Sequence, residues 1–257
     1  MVSTSIRSGL HVASVAIGVV AASFSTQAAA INVTLPTTNI QANSQYTFNS
    51  DTQDLMQNMG ISVRALGNSK QTTPGLWSFS MPVTDVSLSM SLLPLNISPT
   101  AGHASGSALG IYSEEGGLQL ANFALDFKRN VLSADFISKA GTTRNFDVYN
   151  FNVEQGLHVS TSGGLSMQMS LTQMKLTTGA QSAFMQALVL PDYAIDVLGQ
   201  LDFGRLDIKI SPALRFNVSD KPYTATMAAP VPEIPSVGML ALGMFGIAIA
   251  TRRKLNA

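Results

Sequence analysis

The chain has 257 residues, with 15 basic and 15 acidic side chains, three histidines and no cysteine. The missing thiols exclude disulfide bracing, thiol catalysis and a zinc–thiolate site, and the lack of a basic excess speaks against nucleic acid as a partner. Charged residues are only 12% of the chain, so serine, threonine, asparagine and glutamine must fill most polar positions.

Residues 1–30 read as a secretory signal. Arg7 is their one basic residue, an apolar stretch runs from Val12 to Ala22, and the small residues Thr26, Ala28, Ala29 and Ala30 follow. The expected mature N-terminus lies between Ala29 and Ile31. Residues 31–218 then form one domain, long enough to bury a sizeable core. Without Arg7, Glu233, Arg252, Arg253 and Lys254, 11 basic and 14 acidic residues remain, a net charge of −3.

The first element is a short helix over "SDTQDLMQNMG", with Ser50 or Asp51 as N-cap, Leu55, Met56 and Met59 on the apolar side, and Gly60 as the stop. Beyond it the dominant period is two. Trp77, Phe79 and Met81 alternate with Ser78 and Ser80, and "VSLSMSL" (Val86–Leu92) and "LSMQMSL" (Leu165–Leu171) alternate without a break. Successive side chains of a strand point to opposite faces, so each segment has one buried and one wet face. That pattern suits antiparallel sheets. "FALDFKRNVLSADF" reads as a hairpin: Phe123, Leu125 and Phe127 point inward, Lys128–Asn130 turn, and Leu132 starts the return. The expected core therefore holds Trp77, Phe79, Val86, Leu88, Met90, Phe123, Leu125, Phe127, Met167, Met169 and Ile208. "EGGLQL" and "SGGLSM" share a glycine pair, best explained as two separate hairpin entries. "AQSAFMQALVLPDYAIDVLGQ" gives a helix to about Leu190, a break at Pro191, and a second short turn capped by Asp192. The expected fold is mainly β: an antiparallel β-sandwich-like domain with one or two short helices, plus an N-terminal signal helix and a C-terminal hydrophobic helix.

Chemistry is sparse along this domain. His103 lies in "TAGHASGSALG", read as a loop between two strands. Ser105 and Ser107 are near in sequence, but no G-x-S-x-G elbow is present. His158 reads as a solvent-face strand residue. Asp202 with Asp207, and Asp192 with Asp196, are the carboxylate pairs that a glycosidase reading would need. Glu114–Glu115 reads as a wet turn. Trp77 admits two readings, a sugar platform or a core residue, and the alternation with Phe79 and Met81 favours the core. No catalytic residue, cofactor or metal site is expected.

Residues 211–235 carry five prolines, and 219–235 read as a Pro-rich tether. Residues 237–250 then contain no charge, and Arg252, Arg253 and Lys254 follow. The run is short for a span that needs ~20 helical residues, and the basic cluster favours a cytoplasmic end. The box Val231-Pro232-Glu233-Ile234-Pro235-Ser236, the short apolar run and the Arg-rich end resemble the PEP-CTERM sorting signal of Gram-negative bacteria. Ile234 stands where the usual form has proline directly after glutamate. The resemblance covers the last 27 or so residues. It implies recognition at Pro232, Glu233 and Pro235, a membrane hold ended by Arg252 and Arg253, and processing by an exosortase in the inner membrane. Residues 236–257 would then be the hydrophobic helix and basic tail of the signal. The ordering "SFSMPVTDVSLS…GGLQLANFALDF…LSADF" is in turn similar to HtaA-type surface domains, which bind haem through Tyr and His. Tyr112 and His103 lie in the corresponding stretch.

The expected function is that of an exported, exosortase-sorted protein of the cell surface or exopolysaccharide matrix, with a structural or interaction role. Its partners would be the processing enzyme, the inner membrane for a time, and exopolysaccharide, with no nucleic acid. The alternatives are a ligand-binding module for polysaccharide or haem, and a secreted matrix hydrolase.

Overall fold

The computed structural model describes residues 30–92, 95–160, 166–216 and 218–224. The expected signal segment, apart from Ala30, and the C-terminal hydrophobic helix lie outside the described residues. The alternation becomes strand at Ser78–Met81, Val86–Leu92 and Ser166–Leu171, with Trp77 just before its strand and Leu165 outside the described residues. The strands are β1 (Ile31–Pro36), β2 (Ile40–Thr47), β3 (Ser62–Gly67), β4 (Lys70–Gln71), β5 (Ser78–Pro82) and β6 (Asp85–Leu92), then β7 (Leu95–Tyr112), β8 (Gly117–Asp126), β9 (Val131–Ser138), β10 (Gly141–Ser160), β11 (Ser166–Leu176) and β12 (Arg205–Leu214). The helices are α1 (Ser50–Asn58), α2 (Thr178–Leu188) and α3 (Ala194–Gln200), three where one or two were expected.

All strand pairs are antiparallel. They form one sheet in the order β1-β6-β7-β8-β9-β10-β11-β12-β2-β5-β4, with β3 on the side of β7. The hydrogen bonds therefore do not divide the domain into the two separate sheets of a sandwich. The sheet instead curls back on itself, because β5 at one flank runs into β6 at the other through Val83 and Thr84 alone. The β1–β2 segment bends alongside: Pro36 pairs with Asp85 on β6, and Asn43 pairs with Pro82 on β5. At this corner Thr37 N donates to Thr84 O (2.9 Å), and Thr84 N donates to His103 O (2.8 Å). Backbone carbonyls freed by a bend need partners. Arg215 supplies them, donating to the carbonyls of Thr37 (3.0 Å), Thr38 (3.2 Å), Ala42 (2.7 Å) and Val83 (2.6 Å).

The helices gather at one end of the curl. Asn49 caps α1, accepting from Asp51 N at 3.0 Å, so the cap lies one residue before Ser50. Met56 is buried while Leu55 and Met59 are half-buried, and Gly60 ends the turn at φ +72°, a conformation that glycine adopts freely. Thr177 caps α2 through Ala180 N (3.1 Å). Asp192 is not the cap of α3; that position is Tyr193, with no side-chain hydrogen bond. At the opposite end two hairpins outrun their neighbours. The β8–β9 turn comes at Phe127–Asn130, while residues 95–99 of β7 pair only with β6 and residues 152–160 of β10 pair only with β11.

Of the expected core residues, Trp77, Phe79, Val86, Leu88, Phe123, Met169 and Ile208 are buried. Met90, Leu125, Phe127 and Met167 are half-buried, and all four lie toward the end away from the helices.

Candidate functional site

His103 is not in a loop. Strand β7 runs without interruption through "TAGHASGSALG", and His103 pairs across the ladder with Asp85 on β6. Its Nδ1 is 2.6 Å from Asp85 Oδ1, on the outer face of the sheet. Among the described residues no hydroxyl is hydrogen-bonded to the other ring nitrogen. Ser107 is fully buried, and its Oγ has no hydrogen-bond partner among the described residues. His103 and Tyr112 stand nine residues apart on one strand, roughly 30 Å at ~3.3 Å per residue, so they cannot share an iron. His158 is exposed on β10.

A polar groove crosses the outer face beside His103. Asn32, Thr34, Ser87, Thr100, Lys128 and Asn145 contribute to it, with an ion-pair cluster at its end. Arg129 bridges Asp126 (2.8 Å) and Asp147 (2.7 Å), and Ser133 Oγ donates to Asp147 at 2.8 Å. The hydrogen bond from Arg129 holds both carboxyls below the usual carboxylate range. The sequence explains the turn that places Arg129: Asp126 Oδ1 accepts from Lys128 N (2.9 Å) and Arg129 N (3.1 Å), the local bond that makes aspartate a turn former.

The carboxylate pairs read from sequence have local tasks. Asp202 accepts from Gly204 N at 2.9 Å. Asp207 accepts from Arg205 (2.7 Å) and Ser170 (2.6 Å). Burial pulls the Asp207 carboxyl upward, but these bonds outweigh it and leave its pKa lowered. Asp192 and Asp196 are exposed on the α3 turn. Glu114 and Glu115 form an exposed turn, as expected. No group of three potential metal ligands occurs among the described residues.

The aromatic residues are mainly core. Trp77 packs edge-on against Phe48 at 5.3 Å, within a cluster that includes Tyr46, Tyr149 and Phe203. Burial raises the pKa of the Tyr46 hydroxyl, which donates to Phe203 O at 3.1 Å.

One feature escaped sequence reasoning. Residues 219–224, at the start of the stretch read as a tether, lie on the outer face of β7 and β8. Asn122 takes the left-handed conformation (φ 54°) and uses its whole amide. Its Oδ1 accepts from Tyr223 N (2.7 Å) and Gly106 N (3.0 Å), and its Nδ2 donates to Tyr223 O (3.0 Å) and Asp135 (2.8 Å). Asn68 Nδ2 donates to Ser219 O at 2.9 Å. Tyr223 and Leu66 both pack against the buried cluster of Ala108, Ala121 and Ile137. A Cβ on Gly67 would run into Gly106 O and the Tyr223 ring. The only sequence signal was Asn122 itself, a polar residue inside an apolar strand.

Pro232, Glu233, Pro235, Arg252 and Arg253 lie outside the described residues. No helix among the described residues is long and apolar enough to cross a membrane. Comparison of the chain with protein-family models, curated proteins and solved structures finds no match.

Proposed function

We propose that the chain is an exported protein, sorted by its C-terminal segment to the cell surface or exopolysaccharide matrix of a Gram-negative bacterium, where its β domain has a structural or interaction role. The observation that carries this reading is the order of parts in residues 231–257: a Pro-Glu box, a short uncharged run and a basic end. Arg252 and Arg253 hold that end in the cytoplasm. Prolines disfavour helix just before them, so the box stays extended for an exosortase-type enzyme, with Pro232, Glu233 and Pro235 as its contacts. The two facing flanks of the curled sheet serve as the equivalent of a β-sandwich. The Asn122 amide holds the backbone of Tyr223, close before the box in sequence. The reading includes no catalytic step and no cofactor.

The test is fractionation of cells expressing the full chain beside an exosortase. Glu233→Ala is expected to hold the protein in the inner membrane, and deletion from Val231 onward to release a soluble domain into the periplasm. Surface delivery of the Glu233→Ala chain at the wild-type level would overturn the reading.

A second reading, contact with exopolysaccharide through the outer groove, draws on its hydroxyl, amide and charged groups. A glycan screen tests it, with Arg129→Met expected to weaken any groove-bound sugar and leave the sorting unchanged.

A further inference from the structure

The inside of the curled sheet is not completely filled. A cavity of about 40 Å³ lies among Met81, Val86, Phe123, Leu132, Met169 and Ile208. It exists because β7 turns Gly102 and Ala104 toward large residues of the strands around it, and these two leave volume unoccupied. The one hydroxyl deep in the wall, Ser44 Oγ, is already committed to Met81 O at 3.1 Å. Such a wall gives water no partners, and apolar cavities of this kind stay dry and accept hydrocarbon.

The cavity has a direction. Its lining passes from buried to half-buried at Pro99, Leu125, Phe127, Leu157 and Met167. These residues sit at the end remote from the helices, where residues 95–99 of β7 and 152–160 of β10 continue past the β8–β9 turn. At ~10–15 Å³ for each water-sized group, this volume holds about three. That is too narrow for a ring, a sugar or a haem. It suits the tip of a chain whose next methylenes pass among the half-buried Pro99, Leu125, Phe127, Leu157 and Met167. Met81, Met167 and Met169 line the path, and their unbranched thioethers adapt to a guest.

We propose that this end of the sheet binds one unbranched hydrocarbon chain end-on, methyl first: the acyl chain of a fatty acid or of a membrane lipid. The proposal is independent of the sorting signal and stands or falls without it.

The test uses the full chain with dodecanoate labelled with carbon-13 at its terminal methyl. Binding of one equivalent is expected, with nuclear Overhauser contacts from that methyl to Met169 and Ile208. Ala104→Leu fills the cavity and is expected to weaken this binding at least tenfold. If that variant does not fold, Leu157→Lys, which charges the mouth, decides in its place with the same expected loss. Phosphatidylcholine vesicles distinguish the source: cosedimentation reduced by the cavity variant assigns a membrane lipid, while dodecanoate binding without it assigns a free fatty acid. Equal binding by the wild type and the cavity variant would place the ligand elsewhere, for instance on the apolar C-terminal run, and overturn the proposal. So would the absence of dodecanoate binding up to about 1 mM, the weak end of specific affinity.

Discussion

Val189 shows how much a single residue can work against its surroundings. It closes α2 at φ 54° and is exposed. A β-branched side chain is strained in that left-handed region, where glycine is the usual helix stop. Val189→Gly is expected to stabilise the domain by about 0.5–1 kcal/mol, relief of strain exceeding the added freedom of the unfolded chain. A raised denaturant midpoint checks this. Arg129 works in the opposite sense, supporting its neighbours. The folded pKa values of Asp126 and Asp147 are lowered. Their contribution is therefore present above the unfolded carboxylate pKa, ~3.9, and is lost as pH falls through the lower folded values. Arg129→Met is expected to unfold at lower urea than the wild type at pH 7, by a small margin because the pair is exposed. The two midpoints should converge as pH falls below the unfolded carboxylate pKa, ~3.9, and both acids take up protons. A gap that stays constant with pH would mean that Arg129 acts by packing alone. The His103–Asp85 contact was beyond sequence reasoning for a plain reason: its partners are 18 residues apart, and only the β6–β7 register brings them together.

At the scale of elements, the faces of the strands were legible and their lengths were not. Leu88 is buried at 3% exposure while Ser89 beside it is partly exposed, as the period of two requires. Leu88→Ala is expected to cost ~2–5 kcal/mol and Ser89→Ala within about 0.5 kcal/mol. Equal costs in a chemical unfolding experiment would show the face assignment to be wrong. What misled the reading was glycine. Gly102 and Gly106 made "TAGHASGSALG" look like a loop, yet β7 absorbs both. Gly106, at φ +75°, sits at an irregularity between Ala104 and Ala108, the use of glycine in a strand that a bulge demands. The turn at Lys128–Asn130 was readable because its chemistry is local, resting on Asp126. The curl was not readable, because a period of two says which face is buried and nothing about which strands meet. Closure depends on the corner at Val83–Thr84 and on Arg215, more than 130 residues downstream, satisfying its carbonyls.

At the scale of the whole molecule, the proposed reading joins the described β domain to a sorting address in the C-terminal segment. The last described stretch is the strap of residues 219–224. Asn122→Ala would leave the Tyr223 and Gly106 amides without their acceptor, and is expected to cost about 1–3 kcal/mol. A chain ended at residue 218 should lose a similar amount, and the two changes together should add less than their sum, since both break one contact network. Full additivity in unfolding measurements would show that the strap is not held by Asn122. The strap was hidden in sequence because Pro222 and the lack of any period made it read as part of a tether. The proposed recognition residues could be named from sequence because the order of parts along the chain is the whole of that argument, while the apolar cavity could not, because it is lined at Gly102 and Ala104 by small residues that carry no chemistry. The central claim is that the apolar C-terminal run is a temporary membrane hold that is removed during sorting. Mass spectrometry of the C-terminus of the surface-localised protein, recovered from exosortase-positive cells, tests it most directly. The account predicts a chain that ends before Arg252 and Arg253, and a surface protein that still carries both arginines would contradict it.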